Sequence, residues 1–462
     1  MKRKLPRRLT ALLCALALSL SLAPAALAAG GPAVSNNSMT AGYGDSQTAW
    51  SKPVTSYLFE NPQGSLTRVE YIANQLWRMV GSTIEIKWEK SIVVEDYTPD
   101  FRLLSSRTIP MELDIWGGFF PGEKYNFFIF GQNNPGESDG VEVIRVVKYD
   151  KSWNRLGQAS LYGANTSAPI HSSSVDCAEY GDVLYIRTGH EMYKSKDGKN
   201  HQSNMTFTLQ ESTMTMTPYT QDPGYVSHSF KQLILIDSQG NIVGADHGDA
   251  YPRAFRLTHY KAKAGALDLL PPPETHTSLE RYPTHTDFHP FPGAAGQNAT
   301  GGKLQGLEEV TGGYAVTYMY RNNVYLAYVS RGDLIGGNDA PVKLTQITSY
   351  DDKNVITAAK VYGAAMVSTG LSGGYIIWNE QPKYTGGSPF PTRVFYAAYS
   401  ADGTVGPIRE FAEGRLSDCR PIVCQGKIVW YQTGRAGEQP ENTSPTFYTL
   451  DASGGAAIPA KS

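Results

Sequence analysis

Gly373-Gly374-Tyr375-Ile376-Ile377-Trp378 and Gln425-Gly426-Lys427-Ile428-Val429-Trp430 are two copies of one pattern, a glycine-bearing turn followed by a short run of β-branched and aromatic residues. A run of four to six such residues bounded by turn signals reads as a strand buried on both faces. The pattern recurs upstream at Gly312-Gly313 before Tyr314-Ala315-Val316, Gly240-Asn241 before Ile242-Val243, and Gly181-Asp182 before Val183-Leu184-Tyr185-Ile186. Gly122 before Tyr125-Asn126-Phe127-Phe128-Ile129 fits as well, and a weaker version lies near Asn74. Seven copies recur at a mean step of about 59 residues, so the chain is a repeat before it is anything else.

Each unit offers a second hairpin. Val146-Val147-Lys148-Tyr149-Asp150 turns at Trp153-Asn154 into Leu156-Gly157, and Phe395 to Tyr399 turns at Asp402-Gly403 into Val405. Two hairpins per unit predict a four-stranded antiparallel sheet, and seven such sheets set radially would bury both faces of each against its neighbours. Over roughly residues 52–455 the chain resembles the β-propeller superfamily, which implies an all-β fold, a seven-bladed β-propeller of four-stranded antiparallel blades. The Trp-Asp signature of WD40 blades and the spacing of kelch repeats are missing, so the resemblance stops at the superfamily. A step of about 59 residues is too short for an array of β-sandwich domains, which take about 100 each. Pro53 to Phe59 is expected to complete the last blade, and residues 263–304, with Pro271-Pro272-Pro273, read as an insertion between the fourth and fifth blades.

The 462 residues are 41% apolar, carry a formal charge of -2 and include 46 Gly and 28 Pro. Such a balance argues against disorder and against a basic nucleic-acid-binding face. Residues 1–28 read as a secretory signal: a basic start (Lys2, Arg3, Lys4, Arg7, Arg8), an apolar run from Leu12 to Leu22, and Ala26-Leu27-Ala28 as the cleavage site. The apolar run is too short to span a membrane. Cleavage removes five basic residues and moves the charge from -2 to -7, leaving a mildly acidic exported protein, of bacterial type, with no membrane span. Residues 29–51 read as a flexible leader and 52–462 as the propeller. Three cysteines remain, Cys177, Cys419 and Cys424; the last two are five residues apart on an extended stretch, about 17 Å, too far to bridge.

All nine histidines fall between His171 and His289. In an up-and-down blade the start of the first strand and the end of the second lie on one face of the disc. His171 and His228 precede first strands, His190 and His247 end second strands, and His201 opens a third, so all five are expected on one face near the mouth of the central channel, with His190, His228 and His247 at the surface. Their neighbours are polar: Glu191 after His190, Asp249 and Arg253 after His247, and Asn379, Glu380 and Gln432 at equivalent positions elsewhere. Amides, carboxylates and imidazoles with aromatic rings suit a polyhydroxylated ligand. The expected ligand-binding set is therefore His190, Glu191, His201, His228, His247, Asp249, Arg253, Asn379, Glu380 and Gln432, and the expected partner an extracellular glycan, envelope component or protein. The competing expectation is an extracellular hydrolase, transferase or metal-dependent oxygenase, with His228 or His247 as base or nucleophile, Asp249 orienting it and Arg253 neutralising an anion. No phosphate loop, G-x-S-x-G, H-E-x-x-H or paired C-x-x-C motif occurs, and no cofactor is implied. Ser195-Lys196-Asp197-Gly198 reads as a polar hairpin loop.

Overall fold

A computed structural model describes residues 37, 49–80, 83–217, 222–270, 278–350, 360–381, 393–411, 415–433, 445–452 and 460–461. The signal 1–28, Pro271-Pro272-Pro273 and His276 lie outside the described residues, as does most of the leader. Of that leader, Ala49 is buried and its amide donates to Asn298 O, while the Ser51 amide donates to Ser172 O.

The chain folds as an all-β β-propeller. Five antiparallel sheets have four strands each, over 56–109, 115–162, 302–346, 360–411 and 422–461, and their strands follow chain order. The expected third and fourth blades are not separate: their strands run on in one nine-stranded sheet between Thr166 and Pro290, joined at the rung Ser203↔Ser227. The glycine-bearing turns separate the first strand of each unit from the second, and the runs behind them are the most buried strands, with Ile376, Ile377, Trp378, Ile428 and Trp430 fully enclosed. Each such side chain contributes about 1.5–3 kcal/mol of burial.

The core is distributed. Six apolar clusters lie at the junctions between neighbouring units, so each sheet is wedged on both faces. One of them holds Leu58, Tyr97 and Phe101 of the first sheet against Trp430, Tyr431 and Phe447 of the last, and closes the ring. Polar groups reinforce this seam: Arg68 is ion-paired with Glu70 and Glu95, and Tyr431 and Thr433 donate to Glu70. Asp418 accepts from the Thr55 amide and from Ser56 Oγ. Burial pushes the Glu70 carboxyl up to about 7 against the pull of Arg68.

Three details of the sequence reading are corrected. The first turn of the repeat is Asn61 to Ser65, with Gly64 at φ +75°; Asn74 lies inside a 15-residue strand, paired with Glu89. Pro53 to Phe59 does not complete the last blade, because Ser56–Glu60 folds straight back on Leu66–Glu70, and the last sheet takes Ala460–Lys461 as its outer strand. The insertion is not all loop: Thr284–Pro290 pairs with Ala254–His259 as an outer strand.

Candidate functional site

The five imidazoles of His171, His190, His201, His228 and His247 lie at one end of the nine-stranded sheet, but at different depths, while His259 and His285 sit toward the other end. His190 and His247 are 0% exposed, contrary to the expectation of surface positions. His190 Nδ1 meets Thr166 Oγ1 at 2.7 Å, and burial holds its pKa down to about 3. His247 Nε2 meets Thr300 Oγ1 at 2.9 Å, its ring packs on Phe255 and Phe291, and burial holds it neutral. They point inward because regular pairing, His190↔Ser203 and His247↔Phe255, alternates side chains between a sheet's two faces, both of which a propeller packs against protein.

His228 faces out. The register slips between Ser227 and Ser229, and His228 takes φ +54°, in the left-handed region that non-glycine residues seldom occupy. Its Nδ1 lies 3.1 Å from Oδ1 of Asp249, whose side chain is fully buried, and Asp249 Oδ2 has no hydrogen-bond partner among the described residues. A buried carboxylate on Nδ1 orients the ring and leaves Nε2 toward solvent, the arrangement of an oriented acceptor or base. The His201 ring is 6.4 Å away and contacts Asp197 at 3.1 Å, and His171 contacts Glu191 at 3.4 Å. Two large exposed aromatics flank this group, Tyr251 at 72%, on the rung Ser227↔Tyr251, and Trp50 at 51%, whose carbonyl accepts from Lys303 Nζ.

The rest of the expected set lies apart from this cluster or is committed elsewhere. Arg253 donates to Asp249 O, Pro292 O and Gln297 O, pinning the loop before Thr300. Asn379 is buried and exchanges hydrogen bonds with Leu416 N and O; Glu380 is buried, accepting from Tyr350 and Arg393; Gln432 is buried in the last sheet. Among the described residues no group of three or more His, Cys, Asp or Glu is placed to hold a metal ion, Cys177, Cys419 and Cys424 are free, and no helix is long and apolar enough to cross a membrane.

The sequence reading missed the interior of the central channel. A cavity of about 370 Å³ is walled by the first strand of every unit, including Leu58, Phe119, Val175, Leu233, Ala364 and Ile422, and no histidine lines it. Asp176 and Lys231 face into it, and Arg420 reaches past the small side chains Ala364 and Ala365 to pair with Glu308 at 3.1 Å. The Arg420 side chain is half exposed and lines the channel cavity. Burial raises the Asp176 and Glu308 carboxyls, against the pull of Arg420, and lowers the Lys231 ammonium, all toward their neutral forms. The segment Lys52-Pro53-Val54 crosses the histidine-side mouth and lines the cavity, with Val54 O accepting from Trp116 Nε1. A charged residue on several first strands was the available signal.

No family model matches the chain, and no curated protein matches it. Solved structures similar in arrangement include the NanB sialidase of Streptococcus pneumoniae (10% identity, TM-score 0.36, covering 90% of this chain and 71% of that one). A member of the duf4221 family from Bacteroides vulgatus is similar at 8% identity and TM-score 0.35, covering 87% and 90%. A prolyl endopeptidase is similar at 11% identity and TM-score 0.37, covering 88% of this chain and 55% of that one, so the chain spans about half of its length. At these values the likeness concerns the arrangement of sheets and carries no argument about activity.

Proposed function

We propose that this protein is an exported propeller of seven units, two of them fused in the nine-stranded sheet, that binds a glycan or another polyhydroxylated envelope component at its histidine-bearing face. The observation that carries the reading is His228: a strained residue at a bulge, oriented by a buried carboxylate and flanked by the exposed rings of Tyr251 and Trp50. Aromatic faces stack on sugar rings, and imidazole and carboxylate groups pair with hydroxyls. Strain of this kind persists where the surroundings over-determine it, and it concentrates at binding sites. Titration calorimetry with chitohexaose and laminarihexaose tests it. Tyr251→Ala and His228→Ala should each weaken the better ligand at least about tenfold in a protein still folded at the titration temperature, a shift of about 1.4 kcal/mol. Binding by both variants as tight as the parent's, or no binding of either sugar by the parent, removes the reading.

The His228–Asp249 pair also favours a second reading, an extracellular hydrolase with His228 as general base. It is separated from the first by turnover: His228→Ala would abolish release of reducing ends, and Tyr251→Ala would raise KM alone.

A further inference from the structure

At the opposite end of the first two sheets a second cavity, of about 290 Å³, lies between the turns Asn61 to Ser65 and Asp150 to Asn154. It is opposite because the first strand Ser56–Glu60 runs from the histidine-side mouth into the turn at Asn61.

The same five-residue turn, closed by a bond between its ends and another from its fourth residue back to its first, is built six times among the described residues. In four copies the fourth residue is Gly64, Gly198, Gly240 or Gly403, at φ between +73° and +80°. In the other two it is Phe101, at φ +66°, and Trp153, at φ +67°. A bulky side chain in this conformation is strained where glycine is not. The core accounts for Phe101, which is buried and stacked on Phe447 with ring centroids 4.7 Å apart. Trp153 packs against the core between the first two sheets, 6.0 Å from Phe119 and 6.2 Å from Phe128, but stays partly exposed along the cavity.

The cavity's charges are unequal. Lys151 Nζ donates to Gly122 O, Tyr125 O and Asn126 Oδ1, all neutral, and no carboxylate of the described residues lies within ion-pair distance of it. Arg107 is paired with Asp96 at 3.1 Å, but through Nη2 alone; its Nε and Nη1 have no acceptor among the described residues. Both cations sit over rings, Arg107 5.9 Å from the Trp153 centroid and Lys151 6.0 Å from that of Phe59. One surplus positive charge, two aromatic walls and the amide of Gln63 are set around a space the size of one or two sugar rings.

We propose that this cleft is a second binding site, for a sugar residue bearing a carboxylate or sulfate, with the open Nε and Nη1 of Arg107 facing the anion, Lys151 adding its charge from the cavity wall and Trp153 forming a wall for the ring. Free sulfate shares the anion, so the test uses glucuronate, glucose and sodium sulfate, each titrated into the full chain with tryptophan fluorescence and calorimetry as readouts. Glucuronate should bind at least about tenfold tighter than either of the others. Trp153→Gly, which restores the glycine of the sister turns but gives up the packing on Phe119 and Phe128, should lower glucuronate affinity at least about tenfold in a protein still folded at the titration temperature; Arg107→Gln should lower it likewise should the first variant fold poorly. His228→Ala should leave glucuronate binding unchanged, which separates this site from the histidine face. Three results would overturn the proposal: glucose equal to glucuronate, sulfate equal to glucuronate (an anion cradle only), or a Trp153→Gly protein with reduced stability and unaltered affinity.

Discussion

The histidine-bearing face and the central channel are both polar regions of one propeller, built in opposite ways. The face draws His171, His190, His201, His228 and His247 from a single stretch of chain and sorts them by depth, so that His228 stands at a bulge while His190 and His247 are enclosed. The channel takes one to four residues from the first strand of every unit, from Leu58 to Ile422, and assembles Asp176, Lys231 and Arg420, the last paired with Glu308, from distant positions. A local cluster in sequence thus became a graded set, half of it core, whereas a dispersed set became one site. Proximity along the chain reported a neighbourhood; the register of each strand decided which groups meet solvent.

The sharpest way to break this contrast is to truncate one imidazole of each depth. His247→Ala removes a buried ring packed on Phe255 and Phe291 and leaves Thr300 without it, and should cost about 2–4 kcal/mol. His228→Ala should cost less, about 1 kcal/mol: the ring is partly exposed, but alanine keeps the positive φ and the buried Asp249 loses its ring partner. Urea unfolding of the two variants checks this, and equal losses would erase the distinction.

Arg420→Met probes the channel next. It leaves Glu308 facing the channel without its cation; because the arginine is half accessible, about 1–2 kcal/mol is expected rather than the larger cost of a fully enclosed pair. A variant as stable as the parent would show that channel solvent screens the pair completely.

The smallest effect is in the pH dependence. Burial holds His259 and His289 down to about 4, while in the unfolded chain they titrate near 6.5. Between those values the unfolded state binds more protons, so these two groups contribute stability above pH 6.5 that is lost as pH falls toward 4. The double variant His259→Gln, His289→Gln should therefore lose fewer degrees of melting temperature than the parent between pH 7 and pH 4.5. A steeper loss in the variant would place the acid sensitivity elsewhere.

Much of the fold was legible because a propeller strand is buried on both faces, and double burial leaves an unbroken apolar run such as Tyr375-Ile376-Ile377-Trp378 that needs no partner to be recognised. The fused sheet was not legible, since it depends on one rung, Ser203↔Ser227, between two residues that are ordinary in any loop. Asn74 misled because an amide in a long hairpin looks like a turn residue when its cross-strand partner Glu89 is unknown. Of the expected site, the sequence offered Asp249 as the partner of His228 or His247, and the structure pairs it with His228; Arg253, Asn379 and Glu380 were expected on a ligand where the structure commits them to loop carbonyls, Leu416 and Arg393. Polar side chains at strand ends serve turns and ligands with the same atoms, and only their partners tell the two apart.

By itself, then, the sequence determined that this chain is a repeat of small antiparallel sheets with its histidines gathered in the middle third, because strand periodicity and turn chemistry are local properties. Tertiary structure decided which of those histidines is exposed, that the first and last sheets close through Arg68, Glu70 and Asp418, and that four scattered charges meet in the channel. Those are outcomes of register and of closure around a ring, which bring together residues more than 300 positions apart and leave no trace in any single stretch of the chain.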